Sequence, residues 1–228
     1  KDDAPFSHFD DNGTASGIIP DYYTYLSSLT GIRFIFLPYN SKEESCSAVL
    51  SGESDIAGKF GTDIFDAENR NIILTMPYLT LNMVQIVRRG TQNIKTAAVP
   101  ECNMRLISRI SPSLDKKIYS SARQCFDALK SGKADAVICS QPAATWLLNR
   151  NRASDYTVTS FGSQPWNISS AVSHTSGGSM ARIILDKAIA CDQNYISQLI
   201  IRDTVENADE LSTVLDHIPV TLLASSAV

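Results

Sequence analysis

Residues 32–37 read Ile-Arg-Phe-Ile-Phe-Leu, a run too short for a helix and rich in the branched and aromatic side chains that suit a pleated surface. Ahead of it, Tyr22, Tyr25, Leu26 and Leu29 recur at helical spacing, which predicts a helix over residues 21–30 that stops at Thr30-Gly31. Behind it, Ser41 is an N-cap for a helix over residues 41–50, with acidic residues early and a stop at Ser51-Gly52. Asp55-Ile-Ala-Gly58 then opens another strand. Strand, helix and strand in this order restrict the chain to parallel βαβ units, because a parallel neighbour is reached only through a crossover.

The same order returns later. Residues 96–99 predict a short strand, 102–110 a helix, and 118–119 the start of a weak strand. Residues 122–131 predict a helix ended by Gly132, 134–139 a strand and 142–150 a helix. Residues 169–173 read as a strand and 180–192 as an amphipathic helix. Two segments have the look of crossings between halves. One is the apolar run from Leu81 to Arg88, ended by Arg89-Gly90; the other is Phe161 to Asn167, with Gly162, Pro165 and Trp166. The chain therefore leaves a first lobe near residue 90 and returns near 168. The expected division is residues 1–89 plus 168–228 as lobe one and 90–167 as lobe two, with closure about a double hinge.

Bulk properties narrow the function. A chain of 228 residues is long enough for two lobes, and its hydrophobic fraction of 43% is ordinary for a globular protein. A formal net charge of −4 offers nothing to nucleic acid or an anionic membrane surface. No apolar run reaches the ~20 residues that span a bilayer. The five cysteines (46, 102, 125, 139, 191) contain no C-x-x-C pair, which argues against zinc and for small buried thiols; one disulfide within the 102, 125, 139 group stays open. The three histidines are scattered, and there is no nucleophile elbow, phosphate loop or metal-ligand cluster. No cofactor, metal or catalytic residue is expected.

Several motifs stand in a fixed order. The opening Asp3-Ala-Pro-Phe-Ser-His-Phe leads through a polar turn at Asp10 to Gly13 into Gly17-Ile-Ile-Pro-Asp-Tyr-Tyr. Ser51-Gly-Glu-Ser-Asp55, Asp66-Ala-Glu-Asn-Arg70 and Thr75-Met-Pro-Tyr78 follow, then Ser131-Gly-Lys-Ala-Asp135-Ala-Val. In order and spacing these resemble the bacterial extracellular solute-binding proteins of the amino-acid-binding family 3 type. The resemblance implies an α/β, two-lobed type II periplasmic-binding-protein fold. Each lobe would be a mostly parallel sheet flanked by helices, joined by two hinge crossovers, with the ligand held between the lobes.

The family's arginine for an α-carboxylate falls at Arg70, chemistry that suits a bidentate guanidinium. Its acidic partner for the α-ammonium falls at Ser140, which cannot pair with a cation. The stacking aromatic ahead of Ala-Pro-Phe is replaced by Asp3, and the Gly-Thr-Thr loop of lobe two by Pro100-Glu101-Cys102-Asn103. Asp3 or Glu101 can supply the charge that Ser140 lacks. Phe60 and Trp166 are candidate apolar walls, each equally readable as core, and Tyr78, which follows a proline, reads more readily as packing than as a ligand contact. The expected ligand-binding set is thus Arg70, Asp3, Phe60, Tyr78, Glu101, Asn103, Ser140 and Trp166, for a small polar ligand of amino-acid or carboxylate type.

The altered ligand set resembles the divergent members fused to signalling modules. The expected function is the extracytoplasmic sensing domain of a membrane-tethered protein, anchored through flanking sequence. The alternatives are the binding component of an ABC importer and an enzyme resembling cyclohexadienyl dehydratase. The family also places a strand directly ahead of the Ala-Pro-Phe turn. Residues 218–228, Ile-Pro-Val-Thr-Leu-Leu-Ala-Ser-Ser-Ala-Val, are read as the strand that fills this slot, in their own chain or a neighbour's. The rival readings are a linker or the start of a membrane helix.

Overall fold

The structure is a computed structural model that describes residues 2–61, 63–162, 165–192 and 194–205. The reading of residues 218–228 as a strand lies outside the described residues.

The chain opens with a small hairpin, β1 (Asp2–Asp3), β2 (Ser7–Phe9) and β3 (Ala15–Ser16). It feeds α1 (Ile18–Thr30), which starts earlier than the periodicity predicts. The hairpin supplies the reason: the carbonyls of Pro5 and Phe6 accept from the amides of Ile18 and Ile19, donors that an early helical turn would otherwise leave bare. Gly17 permits this approach, since at φ 111° a Cβ there would stand 2.7 Å from the Pro5 oxygen. Tyr22, Tyr23 and Leu26 form the buried stripe of α1. Next comes α2 (Lys42–Ser51), capped as expected: Ser41 Oγ accepts from the Glu44 amide at 3.1 Å.

β4 (Ile56–Gly61), α3 (Ile64–Asn69), β5 (Ile72–Leu74), β6 (Leu79–Leu81) and β7 (Met83–Arg88) follow. Then come β8 (Thr96–Pro100), α4 (Glu101–Ile110), β9 (Asp115–Tyr119), α5 (Ala122–Lys130), β10 (Ala136–Ser140), α6 (Gln141–Arg150) and β11 (Tyr156–Ser160). β12 (Trp166–Ser173), α7 (Ser176–Cys191) and α8 (Tyr195–Thr204) complete the described chain.

Two larger sheets result. One runs β11-β7-β10-β8-β9, with β8 parallel to both β9 and β10. This is the predicted βαβ pattern, with α4 and α5 as its crossovers. Asp135 acts here as a structural clip: its carboxylate accepts from the amides of Thr96 (2.9 Å) and Lys95 (3.0 Å), and those bonds hold its pKa below the usual value.

The other sheet is centred on β12, which pairs antiparallel with β4, β5 and β6. Its parallel half is not formed among the described residues. Residues 32–37, predicted as a strand, carry no ladder bonds. Phe34 and Phe36 stand edge-on to Tyr23 at 5.0 and 6.4 Å, while Ile35 is 73% exposed. The inward-outward alternation of a strand is present, but a strand requires a hydrogen-bonded neighbour. The only described ladder partner of β4 is β12.

The backbone passes between these sheets twice. β6 ends at Leu81 opposite Trp166, and β7 begins at Met83 opposite Ser140, so the outward crossing is at Asn82. The return lies between Ser160 and Trp166. The run from Leu81 to Arg88 serves two sheets in succession, and its apolar residues Leu81, Met83, Val84, Ile86 and Val87 are all buried.

Candidate functional site

A cavity of about 1720 Å³ opens between the two sheets and continues along residues 32–37, the edge of β4 and α7. Asp3, Lys59 and Arg70 line it from the β12 side, Glu101, Cys102 and Arg105 from the β8 side, and Trp166 at the crossing. Gly61 gives Trp166 its place: a Cβ on Gly61 would lie 2.5 Å from the indole Nε1.

Four of the eight sequence-predicted residues therefore share this cavity: Asp3, Arg70, Glu101 and Trp166. The other four sit in the walls behind it. Phe60 is 1% exposed with Lys42 Nζ 3.7 Å from its ring centroid. Tyr78 stacks on Tyr22 at 5.1 Å and donates its hydroxyl to the Gly58 carbonyl at 2.6 Å. Asn103 is buried in the first turn of α4. Ser140 ends β10 opposite Met83 and is buried.

Arg70 is the C-cap residue of α3. Its Nε donates to Asp66 Oδ1 at 3.1 Å and its NH2 to Glu43 Oε1 at 3.2 Å. Asp66 in turn accepts from Lys42 Nζ at 2.8 Å and from Arg105 of α4. Burial opposes ionisation of Asp66, but donors from Lys42, Arg70 and Arg105, with the Lys42 charge, outweigh it and hold the pKa down at about 2. Beside this group, Arg109 of α4 donates to Asp63, the N-cap of α3, at 3.1 Å. Both α4 contacts run from a helix of one sheet to a helix of the other.

A second pair lies deeper. Lys59, in β4, donates to Asp3 and sits 4.0 Å from the Phe6 ring centroid. Burial lowers the Lys59 pKa, yet the charge and hydrogen bond of Asp3 prevail and the net direction is upward. Sequence spacing did not reveal Lys59, Asp66 or Arg105. Their only sequence signal is charge inside otherwise apolar or helix-opening segments.

All five cysteines are free thiols, so the disulfide left open within the 102, 125, 139 group does not form. Cys125 and Cys139 are fully buried, and burial pushes the Cys139 thiol up to about 12.

The sequence matches no protein-family model and no curated protein. Solved structures do match. The periplasmic VFT2 domain of BvgS from Bordetella pertussis superposes with a TM-score of 0.74 at 24% identity, covering 87% of this chain and 88% of that one. The GluR0 ligand-binding core in complex with L-glutamate gives 0.76 at 16% identity, covering 89% and 94%. The ancestral amino-acid-binding protein AncCDT-1, a precursor of cyclohexadienyl dehydratase, gives 0.72 at 17%, covering 89% and 92%.

The chain has the type II periplasmic-binding-protein fold. In that fold the two larger sheets belong to separate lobes, and the chain passes from one sheet to the other at Asn82 and is back in the first by Trp166. The Arg105–Asp66 and Arg109–Asp63 contacts then join the two halves through α4 and α3.

Proposed function

We propose that this chain is an extracytoplasmic small-molecule-binding domain, and specifically the ligand-sensing ectodomain of a membrane-anchored signalling protein. The observation that carries the reading is the cleft: one cavity between two sheets that, among the described residues, the backbone joins by two crossings. Such a cleft is suited to capture by hinge closure, in which the ligand favours the closed state by its differential contacts. The sensing role draws support from the altered ligand set, since Arg70 is committed to Asp66 and Glu43, and Ser140 is not a carboxylate. Among the described residues no helix is long and apolar enough to cross a membrane, so the anchor is assigned to flanking sequence. Among the described residues β4 pairs on one edge alone, which supports a strand-exchange or tandem contact through residues 218–228, to be tested by hydrogen exchange across residues 56–61 with and without that segment.

Calorimetry and thermal shift against amino acids, small carboxylates, amines and nucleobases test the main reading. A stabilising ligand that is recovered unchanged, with compaction in small-angle scattering, is the expected result. Silence across the panel with no compaction sinks it.

A further inference from the structure

The formal net charge of −4 conceals an uneven distribution. Residues 83–160, which hold the five-stranded sheet and its helices, carry 12 Lys and Arg against 5 Asp and Glu. Residues 3–82 and 165–205 carry 7 against 14. Within 83–160 the excess gathers at one end of the sheet. β8, β9 and β10 run parallel, β7 runs antiparallel to β10, and β11 antiparallel to β7. The starts of β8, β9, β10 and β11 and the end of β7 therefore lie together, with Thr96 beside Asp115, Val87 beside Ala136 and Arg88 beside Tyr156. The opposite end of the sheet, which Glu101 and Ser120 directly follow, lines the cavity.

Four segments meet at the far end, 88–95, 111–117, 130–135 and 150–156, with nine Lys and Arg against three Asp. All nine cations except the half-buried Lys116 are exposed. Among the described residues only Lys130 of the nine pairs with a carboxylate, that of Asp127 in α5. Arg88, Arg89 and Lys117 donate instead to the carbonyls of Lys130, Ser154 and Lys133, bonds that brace the side chains across the face and leave their charge in place. Asp135 accepts from the amides of Lys95 and Thr96, with the charges of Lys95 and Lys117 nearby, and Asp115 accepts from the Thr96 hydroxyl. An excess of cations remains. Like charges held together repel one another, and a surface shaped for solubility intersperses both signs.

A partner for this face has to be anionic and to spread its charge over a broad surface. Protein interfaces are poor in lysine and gather aromatic and apolar side chains at their centre. Here five of the nine cations are lysines, and none of the four segments has an exposed aromatic side chain. Single-stranded nucleic acid needs such aromatics for stacking, and a duplex groove needs an inserted helix or ribbon, whereas this face is made of loops and strand ends. An anionic bilayer needs neither. Its surface potential attracts clustered lysines and arginines, whose long side chains reach the headgroups. We propose that the far end of the five-stranded sheet docks on an anionic phospholipid bilayer and holds the cavity end of that sheet away from it. The acidic remainder of the chain, repelled by the same surface, fixes the orientation. The inference goes beyond the binding-domain reading and is independent of what the cleft holds.

The test is co-sedimentation of the full chain with vesicles of phosphatidylcholine alone and of phosphatidylcholine with phosphatidylglycerol in equal parts. At about 0.1 M salt, binding to the mixed vesicles should exceed binding to the neutral ones by about 100-fold or more. It should vanish near 1 M salt, where the screening length falls from about 10 Å to about 3 Å. The variant Lys95→Glu/Lys117→Glu/Lys133→Glu should bind the mixed vesicles about 100-fold more weakly, roughly fivefold for each lysine lost. Arg33→Glu/Arg182→Glu/Lys187→Glu changes the net charge equally outside residues 83–160 and should stay within about threefold of wild type. Circular dichroism and melting confirm that both variants are folded. Equal binding to the two kinds of vesicle, binding that persists at high salt, a lysine variant that binds like wild type, or a control variant that loses as much each overturns the proposal. Tighter binding of wild type to polyglutamate or to a duplex DNA oligonucleotide gives the face another partner and overturns it too. None of these results bears on the cleft, whose reading stands or falls with the compound panel.

Discussion

Asp66 is 4% exposed and faces cations from three helical segments: Lys42 at the start of α2, Arg70 at the end of α3 and Arg105 in α4. Its pKa lies near 2 in the folded chain against an ordinary 3.8. A carboxyl depressed on folding stabilises the protein above its unfolded pKa, and the contribution is lost as pH falls through the folded one. Asp66 should therefore contribute about 2 kcal/mol at neutral pH, fading between pH ~4 and ~2. Asp66→Asn should lower the urea-unfolding free energy by at least that much at pH 7, because the arginines and Lys42 lose their shared buried anion. At pH 2 the difference from wild type should nearly vanish. A constant difference at both pH values would mean that Asp66 acts through packing rather than charge.

At the scale of elements, the contact of Gly61 in β4 with Trp166 in β12 joins the cleft wall to the return crossing. Gly61→Ala should displace the indole and cost about 1–3 kcal/mol, as overpacking in a closed core does. A chemical melt checks the cost, and an unchanged melt would show that Trp166 can swing aside freely. The helices were largely legible because their signals are local. Ser41 before Glu44, Gly31 and Gly52 after their last turns, and the apolar stripe of α1 each act within a few residues. What was not legible depends on pairing. Leu81 to Arg88 is one apolar run in sequence, yet Asn82 divides it between two sheets. Residues 32–37 have a strand's composition but no described neighbour to pair with. The helix α8 did carry a signal, in the spacing of Ile196, Leu199 and Ile200. Arg70 was found as a motif position, whereas its commitment to Asp66 and Glu43 appears only in the packed chain.

For the whole molecule, the decisive balance is between the two crossings, which permit opening, and the α4–α3 ion pairs, which oppose it. Arg105 and Arg109 have side chains 57% and 70% exposed. Pairs so exposed are worth at most about 1 kcal/mol each and weaken with salt. That is too little to matter for folding. It is enough to bias a hinge whose open and closed states differ by a few kcal/mol. The double variant Arg105→Ala/Arg109→Ala should therefore change the unfolding free energy by less than about 1 kcal/mol per pair removed, Asp66 retaining Lys42 and Arg70. In small-angle scattering it should raise the radius of gyration of the unliganded chain, and high salt should do the same to wild type while leaving the variant unmoved. A ligand that bridges the lobes should restore compaction in both, with weaker apparent affinity in the variant because fewer molecules are closed beforehand. Identical scattering from variant and wild type at low salt would show that the arginines do not hold the cleft shut.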